Sequence, residues 1–296
     1  MSAPPASSFS WSDTILTALA PAIWGSTYIV TTEWLPPDRP LTAAWLRVLP
    51  AGLMLVALGR RWPETGSWGR LLVLSALNIG LFQALLFVAA YRLPGGLAAV
   101  LGALQPLMVM AIAWLIEGHR PGWVAWLAGL VGVAGMAAML LSPSSTWDGW
   151  GIAAALTGAT SMAAGTYLTR RWRTDLPLVP FTGWQLLLGG TMLAPVALVV
   201  DAPLPPLDRS QIIAYAYLSL GGAVVAYAMW FRGMARLPAV AVSSLGLLSP
   251  LTAVLLGWAV LGQALTSGAV AGLAMVLGSV LAVQWRAAAA ARTPAS

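Results

Sequence analysis

Apolar runs of near-bilayer length follow one another along almost the whole chain, divided by short breaks rich in Pro, Arg, Ser and Asp. A helix rises 1.5 Å per residue and needs about 20 apolar residues to cross a hydrocarbon core of about 30 Å, so such runs suit membrane spans. The pattern predicts ten helices: residues 14–32, 42–58, 71–90, 97–116 and 123–141, then 152–168, 181–200, 212–231, 239–261 and 269–283. Loop chemistry marks the breaks, as in Leu35-Pro36-Pro37-Asp38, Arg60-Arg61-Trp62-Pro63 and Ser142-Pro143-Ser144-Ser145. The runs lack the strict alternation of barrel strands. The expected class is an all-α integral membrane protein.

The chain also repeats itself. RLPGGLAAVLGALQPLMVMAIAWLIEG, from Arg92 to Gly118, returns 144 residues later as RLPAVAVSSLGLLSPLTAVLLGWAVLG, from Arg236 to Gly262. Gly102 falls on Gly246, Pro106 on Pro250, Trp114 on Trp258 and Gly118 on Gly262. A period of half the chain indicates duplication of a whole domain rather than a solenoid, and membrane carriers are its usual setting. Five helices per half is an odd number, so the second half must sit inverted in the bilayer. The expected organisation is an N-terminal tail at 1–13, a first five-helix repeat at 14–141 and a linker at 142–148. A second, inverted repeat at 149–285 and a C-terminal tail at 286–296 complete it.

Composition supports this class. Of the 296 residues 59% are hydrophobic and 8% charged, too few charges to give a soluble globule a polar surface. The net charge of +6 comes from arginine, since lysine is absent, and these arginines are scattered between apolar runs. That distribution argues against a nucleic-acid binder, which gathers its charge on one soluble face. Eleven arginines fall on one set of alternate loops (60, 61, 70, 120, 170, 171, 173, 232, 236, 286 and 292) and three on the other (39, 92 and 209). The asymmetry places both termini in the cytoplasm. The N-terminus lacks a cleavable signal pattern.

Inverted five-helix repeats, the proline-bearing fourth and ninth helices, Trp24-Gly25-Ser26 in the first helix and an arginine early in the second resemble the drug/metabolite transporter superfamily. Within it the chain is similar to EamA-type exporters, among them the YddG-like exporters of aromatic amino acids. The resemblance covers nearly the whole chain. It implies a secondary carrier in a bacterial inner membrane that moves small metabolites, most of all aromatic or neutral amino acids, by alternating access through a cavity between the repeats. A passive channel, or a lipid or drug translocator, is the alternative on the same scaffold. Small-molecule cargo and membrane lipid are the expected partners; no cofactor or metal is implied, and a monomer suffices.

The residues that could do this are few. Pro106 and Pro250 cannot donate to the carbonyls of Gly102 and Gly246, so both helices should be loosened there, as gating kinks or as static ones. Polar groups at mid-bilayer depth need a partner or a wet cavity. They include Asn78 and Gln83 near Phe82 on the third helix, Gln105 on the fourth, Tyr227 on the eighth and Ser243 with Ser244 on the ninth. Trp24 and Tyr28 share a face of the first helix. Amides, hydroxyls and rings together would suit a zwitterion with a bulky apolar side chain: Asn78, Gln105 and Ser244 for the charged end, Trp24, Phe82 and Tyr227 for the side chain. Interhelical hydrogen bonding is the other use of each amide.

Trp24 is the tryptophan plainly in mid-span, while Trp11, Trp34, Trp62, Trp123, Trp150 and Trp285 fall where an interfacial belt explains them. Arg47 lies inside a span, about 8 Å from its outer end. It can attract a substrate carboxylate, snorkel to the headgroups or fix a helix contact, and its length favours the last two. All nine acids lie at helix ends or in loops, so no buried carboxylate can relay protons. Glu117 with His119 is read as a loop anchor. Gly129, Gly132 and Gly135 on the fifth helix and Gly268 and Gly272 on the tenth allow close approach, within the scaffold or at a dimer face. One histidine and no cysteine leave little to build an enzyme from.

Overall fold

The computed structural model describes residues 10–93, 95–118, 120–141, 148–172, 174–262 and 264–292. The side chain of Tyr28, all of His119, most of the linker at 142–147 and the start of the N-terminal tail lie outside the described residues. Fourteen α-helices make ten spans. In the first half these are α1 (Trp11–Trp34), α2 (Pro40–Gly59), α3 (Trp68–Ser75) with α4 (Leu81–Arg92), α5 (Gly95–Gly102) with α6 (Gln105–Glu117), and α7 (Trp123–Leu140). In the second they are α8 (Gly149–Arg171), α9 (Leu178–Val200), α10 (Arg209–Ser219) with α11 (Ala226–Arg236), α12 (Ala239–Leu245) with α13 (Leu248–Leu261), and α14 (Ser267–Arg292). Nine of the ten spans are apolar enough to cross a membrane by length and composition. The remaining one, α8, is 23 residues long but built largely of Gly, Ala, Ser and Thr, because much of it packs against other helices.

Most helices run a turn beyond the apolar cores from which they were predicted. Polar caps account for several ends. Asp208 and Gln211 form a reciprocal capping box at the start of α10, and the hydroxyl of Ser210 holds the Asp208 carboxyl below its usual range. Asp148 caps α8 while Arg92 binds its other oxygen at 3.0 Å and lowers its pKa. Gly118 and Gly262, equivalent in the repeat, end α6 and α13 in the left-handed region, with φ of 73° and 66°. The last helix continues to Arg292, so most of the predicted C-terminal tail is helical.

Two irregularities recur in both halves. Between α3 and α4 the chain makes a π-turn, Ala76–Gly80, and between α10 and α11 another, Leu220–Val225, at the matching place in the repeat. The fourth and ninth spans are broken rather than kinked. Ala103 and Leu104 separate α5 from α6, and Gly246 and Leu247 separate α12 from α13. Each proline follows the break in the first turn of the second half-helix, where its missing N–H costs least. The carbonyl of Gly246, expected to be freed, is recaptured by the N–H of Ser249 at 3.1 Å.

Helix contacts show the inversion. A methyl on Gly59 would meet Pro180, on Gly183 Val56, on Gly52 Leu187 and on Gly190 Leu49, so α2 and α9 run antiparallel with backbones in contact. The same holds for α7 and α14, where Gly135 and Gly272 face each other's carbonyls; those small residues are spent inside the scaffold. The first helix of each half crosses over: α1 packs on α10, α11 and α13, and α8 on α4, α5 and α6. Two bundles result, α1 with the eighth and ninth spans and α8 with the third and fourth. The pairs α2–α9 and α7–α14 bridge them. Trp62, Trp123, Trp150 and Trp285 stand more than 70% exposed near helix ends, as an interfacial belt requires.

Candidate substrate-binding site

Each π-turn is a hub where three elements meet. Such turns push one residue out of register and recur at functional sites. In the second, the carbonyl of Gly222 accepts Trp24 Nε1 from α1 at 2.9 Å and Arg47 Nη2 from α2 at 3.2 Å. In the first, Asn78 donates through Nδ2 to Thr169 Oγ1 of α8 at 3.0 Å and to Gln185 Oε1 of α9 at 2.9 Å. Ser161 Oγ closes on the neighbouring carbonyl of Leu77 at 2.9 Å. Asn78 and Gln185 are fully buried.

Between the hubs, Gln83 Nε2 donates to the Tyr227 hydroxyl at 2.7 Å. The two are 144 residues apart, the repeat period, so the halves touch through their own equivalent positions and the bond sits on the pseudo-twofold axis. Around it the Trp24 ring lies 4.9 Å from Tyr227 and 5.2 Å from Trp230, and Phe231 stacks 5.8 Å from Tyr227. A methyl on Gly246 would come within 3.8 Å of Trp230, which ties the ninth-span break to this cluster. Tyr227 and Trp230 are 2% and 1% exposed. An interhelical hydrogen bond inside a membrane contributes about 0.6 kcal/mol on average. A bond of that size can open and close repeatedly.

Of the residues singled out in the sequence, Trp24, Gln83 and Tyr227 come together, and Phe82 packs half-buried against the same core. Asn78 instead joins α8 and α9. Ser243 and Ser244 turn back to carbonyls of their own helix, those of Val240 at 3.0 Å and Ala241 at 2.8 Å, and Gln284 of α14 bonds Ser244 at 3.1 Å. The hydrogen bonds therefore do not bring Asn78 and Ser244 to a common charged end. Gln105 is half-buried with its amide nitrogen unpartnered, Pro106 is buried, Gly102 exposed and Pro250 half-buried. Glu117 accepts from the Tyr167 hydroxyl at 3.0 Å, an anchor onto α8. Arg47 makes a helix contact, but in the interior, at 9% exposure, rather than at the headgroups. Sequence reasoning missed Trp230, Gln185 and Thr169. Trp230 was findable, being three residues from Tyr227 and so on its face. Among the described residues there is no group of three potential metal ligands.

The two ends of the molecule differ. Where α8 ends and α12 begins, the bundles meet: α8 packs on α11 and α12, α6 packs on α12, and Arg170 Nη1 donates to the carbonyl of Leu237. The symmetry-related pairs at the other end, α1 with α4 and α5 with α13, do not pack closely among the described residues. Among the described residues the bundles thus meet most closely at the end that carries the N-terminus of α1.

The EamA-like transporter model matches the chain twice, over residues 12–141 and 149–285. The chain belongs to the EamA-like transporter family. It is a membrane transporter of ten helices in two inverted five-helix repeats, and each repeat carries one copy of the EamA domain. Among its relatives, Protein PecM of Dickeya dadantii is 41% identical over 90% of each chain. A probable amino-acid metabolite efflux pump of Salmonella typhimurium is 24% identical over 90% of this chain and 92% of its own. A crystal structure at 20% identity superposes with a TM-score of 0.77, covering 93% of this chain and 98% of the other, so the two share a fold.

Proposed function

We propose that this transporter exports small metabolites, in the first place neutral and aromatic amino acids, by alternating access, with both termini in the cytoplasm of a bacterial cell. The observation that carries the reading is the bond between Gln83 and Tyr227, which joins equivalent positions of the inverted halves inside a cluster of Trp24, Trp230 and Phe231. Cargo entering between the bundles displaces a weak, neutral bond and finds rings for an apolar side chain. Asn78, Ser243 and Ser244 hold the walls. The end where the bundles meet, joined by Arg170 to Leu237, faces the cytoplasm on the arginine count, so this state opens outward. The Salmonella relative's description as an amino-acid metabolite efflux pump supports cargo and direction.

Counterflow of labelled phenylalanine, tryptophan, leucine and glutamate into liposomes, without an ion gradient, tests the proposal. Saturable uptake of the three neutral amino acids with exclusion of glutamate is expected. Silence for all four from folded protein would discard amino acids as cargo, and uptake that neither saturates nor shows counterflow would replace the carrier with a channel.

A further inference from the structure

The two hubs are built from the same positions of the same elements. The repeat period makes Gly222 equivalent to Asn78. On α2 and α9 a methyl at Gly52 would meet the backbone of Leu187, and one at Gly190 the backbone of Leu49, so 52 pairs with 190 and 49 with 187 under the inversion. By the same offset Arg47 is equivalent to Gln185. In one hub Gln185 meets Asn78, a neutral pair of amides; in the other a guanidinium meets the Gly222 carbonyl. The second hub continues, through the indole of Trp24, to Tyr227 and Gln83 on the axis.

A charge at this depth is costly, and the duplicated half shows that a glutamine can fill the same place. Arginine keeps its charge at every accessible pH and pairs in bidentate fashion with carboxylates. Gln83, which bonds the Tyr227 hydroxyl through Nε2, has in Oε1 a buried acceptor without a hydrogen-bond partner among the described residues, on a residue 1% exposed. A positive group, aromatic rings and a bare acceptor therefore adjoin one another at the centre of the molecule.

We propose that Arg47 is the carboxylate-binding group of the transport site, so that the cargo must carry a carboxylate, docked beside Gly222 and Trp24. Gln83 Oε1 receives the ammonium of an α-amino acid, and the rings take its side chain. The inference rests on reading the centre as the cargo site, and it names the chemical class that the site admits. It also gives Arg47 a role in addition to its helix contact.

The test is competition against labelled L-phenylalanine counterflow in liposomes by L-phenylalanine, its amide, and 3-phenylpropanoate, which keeps the carboxylate and lacks the ammonium. In the wild type the amide should compete at least about tenfold more weakly than the acid, as loss of one charge-assisted contact implies, while 3-phenylpropanoate still competes. Arg47→Gln should bring acid and amide to within about twofold of each other, and Arg47→Lys should restore part of the preference. Gly222→Ala keeps the charge but sets a methyl 3.4 Å from Arg47 Nε. It should weaken the acid and spare the amide, and with Arg47→Lys it decides the matter if Arg47→Gln does not fold.

Equal competition by acid and amide in the wild type, or a preference that survives Arg47→Gln, overturns the inference and leaves amino-acid transport standing. Counterflow of labelled 3-phenylpropanoate that depends on Arg47, with none of phenylalanine, supports the inference and removes the amino-acid reading. Silence for every carboxylate from folded protein overturns both.

Discussion

The hub at Asn78 and the hub at Gly222 have the same backbone, yet their side chains do different work. Around Asn78 the amide of Gln185 and the hydroxyls of Thr169 and Ser161 tie the π-turn to α8 and α9 with neutral hydrogen bonds. At Gly222 the π-turn offers a bare carbonyl where the first hub has the amide of Asn78. That carbonyl is held by an indole and a guanidinium that lead into the aromatic centre. Duplication supplied one device twice; one copy ends in neutral amides and the other in a guanidinium and rings, which on our proposal makes the first scaffold and the second the transport site. A transporter needs both, a wall that keeps its shape and a centre that exchanges partners.

The largest expected separation between the hubs comes from their central polar residues. Arg47→Gln should lower phenylalanine counterflow on the order of 100-fold, since removing one partner of a buried charge pair costs about 2–5 kcal/mol in recognition. Asn78→Ala leaves Gln185 and Thr169 without their partner and should cost about 2–4 kcal/mol of stability, read as a fall in Tm in detergent. Flux per folded molecule should stay within about twofold. The glycines sharpen the contrast at smaller amplitude. Gly165→Ala would press a methyl into the Asn78 amide and should destabilise by about 1–3 kcal/mol. Gly222→Ala meets its nearest neighbour at 3.4 Å, so Tm should barely move while affinity for the carboxylate falls. Tyr227→Phe removes the bond to Gln83 but keeps the ring. A loss of about 0.6 kcal/mol is expected, with a changed exchange rate in counterflow.

Much of the fold was legible in the sequence because glycine and proline report backbone demands directly. Gly118 and Gly262 are written at helix ends that turn left-handed, and Pro106 with Pro250 marks the broken spans. The π-turns left no such trace, since Ala76–Gly80 reads as ordinary apolar helix and an extra residue in a turn has no compositional signature. The site was legible only in part for a related reason. Scanning at 144 residues aligns Gln83 with Tyr227, but α2 and α9 align at a different offset because the chain between them and the π-turn is longer in the second half, where α9 and α10 are longer than α2 and α3. Arg47 and Gln185 therefore could not be matched until the helices were seen packed. The serines of α12 are less telling than their polarity suggests, because hydroxyls in a membrane helix satisfy themselves on a carbonyl three residues back, as both do here.

The most direct measurement is phenylalanine counterflow by Arg47→Gln and Asn78→Ala side by side, each normalised to the amount of folded protein in the liposomes. Loss on the order of 100-fold in the first, with the second within about twofold of wild type, is the expected result. Comparable flux in both variants, or the greater loss in Asn78→Ala, would contradict the assignment of the Gly222 hub as the site and the Asn78 hub as its scaffold.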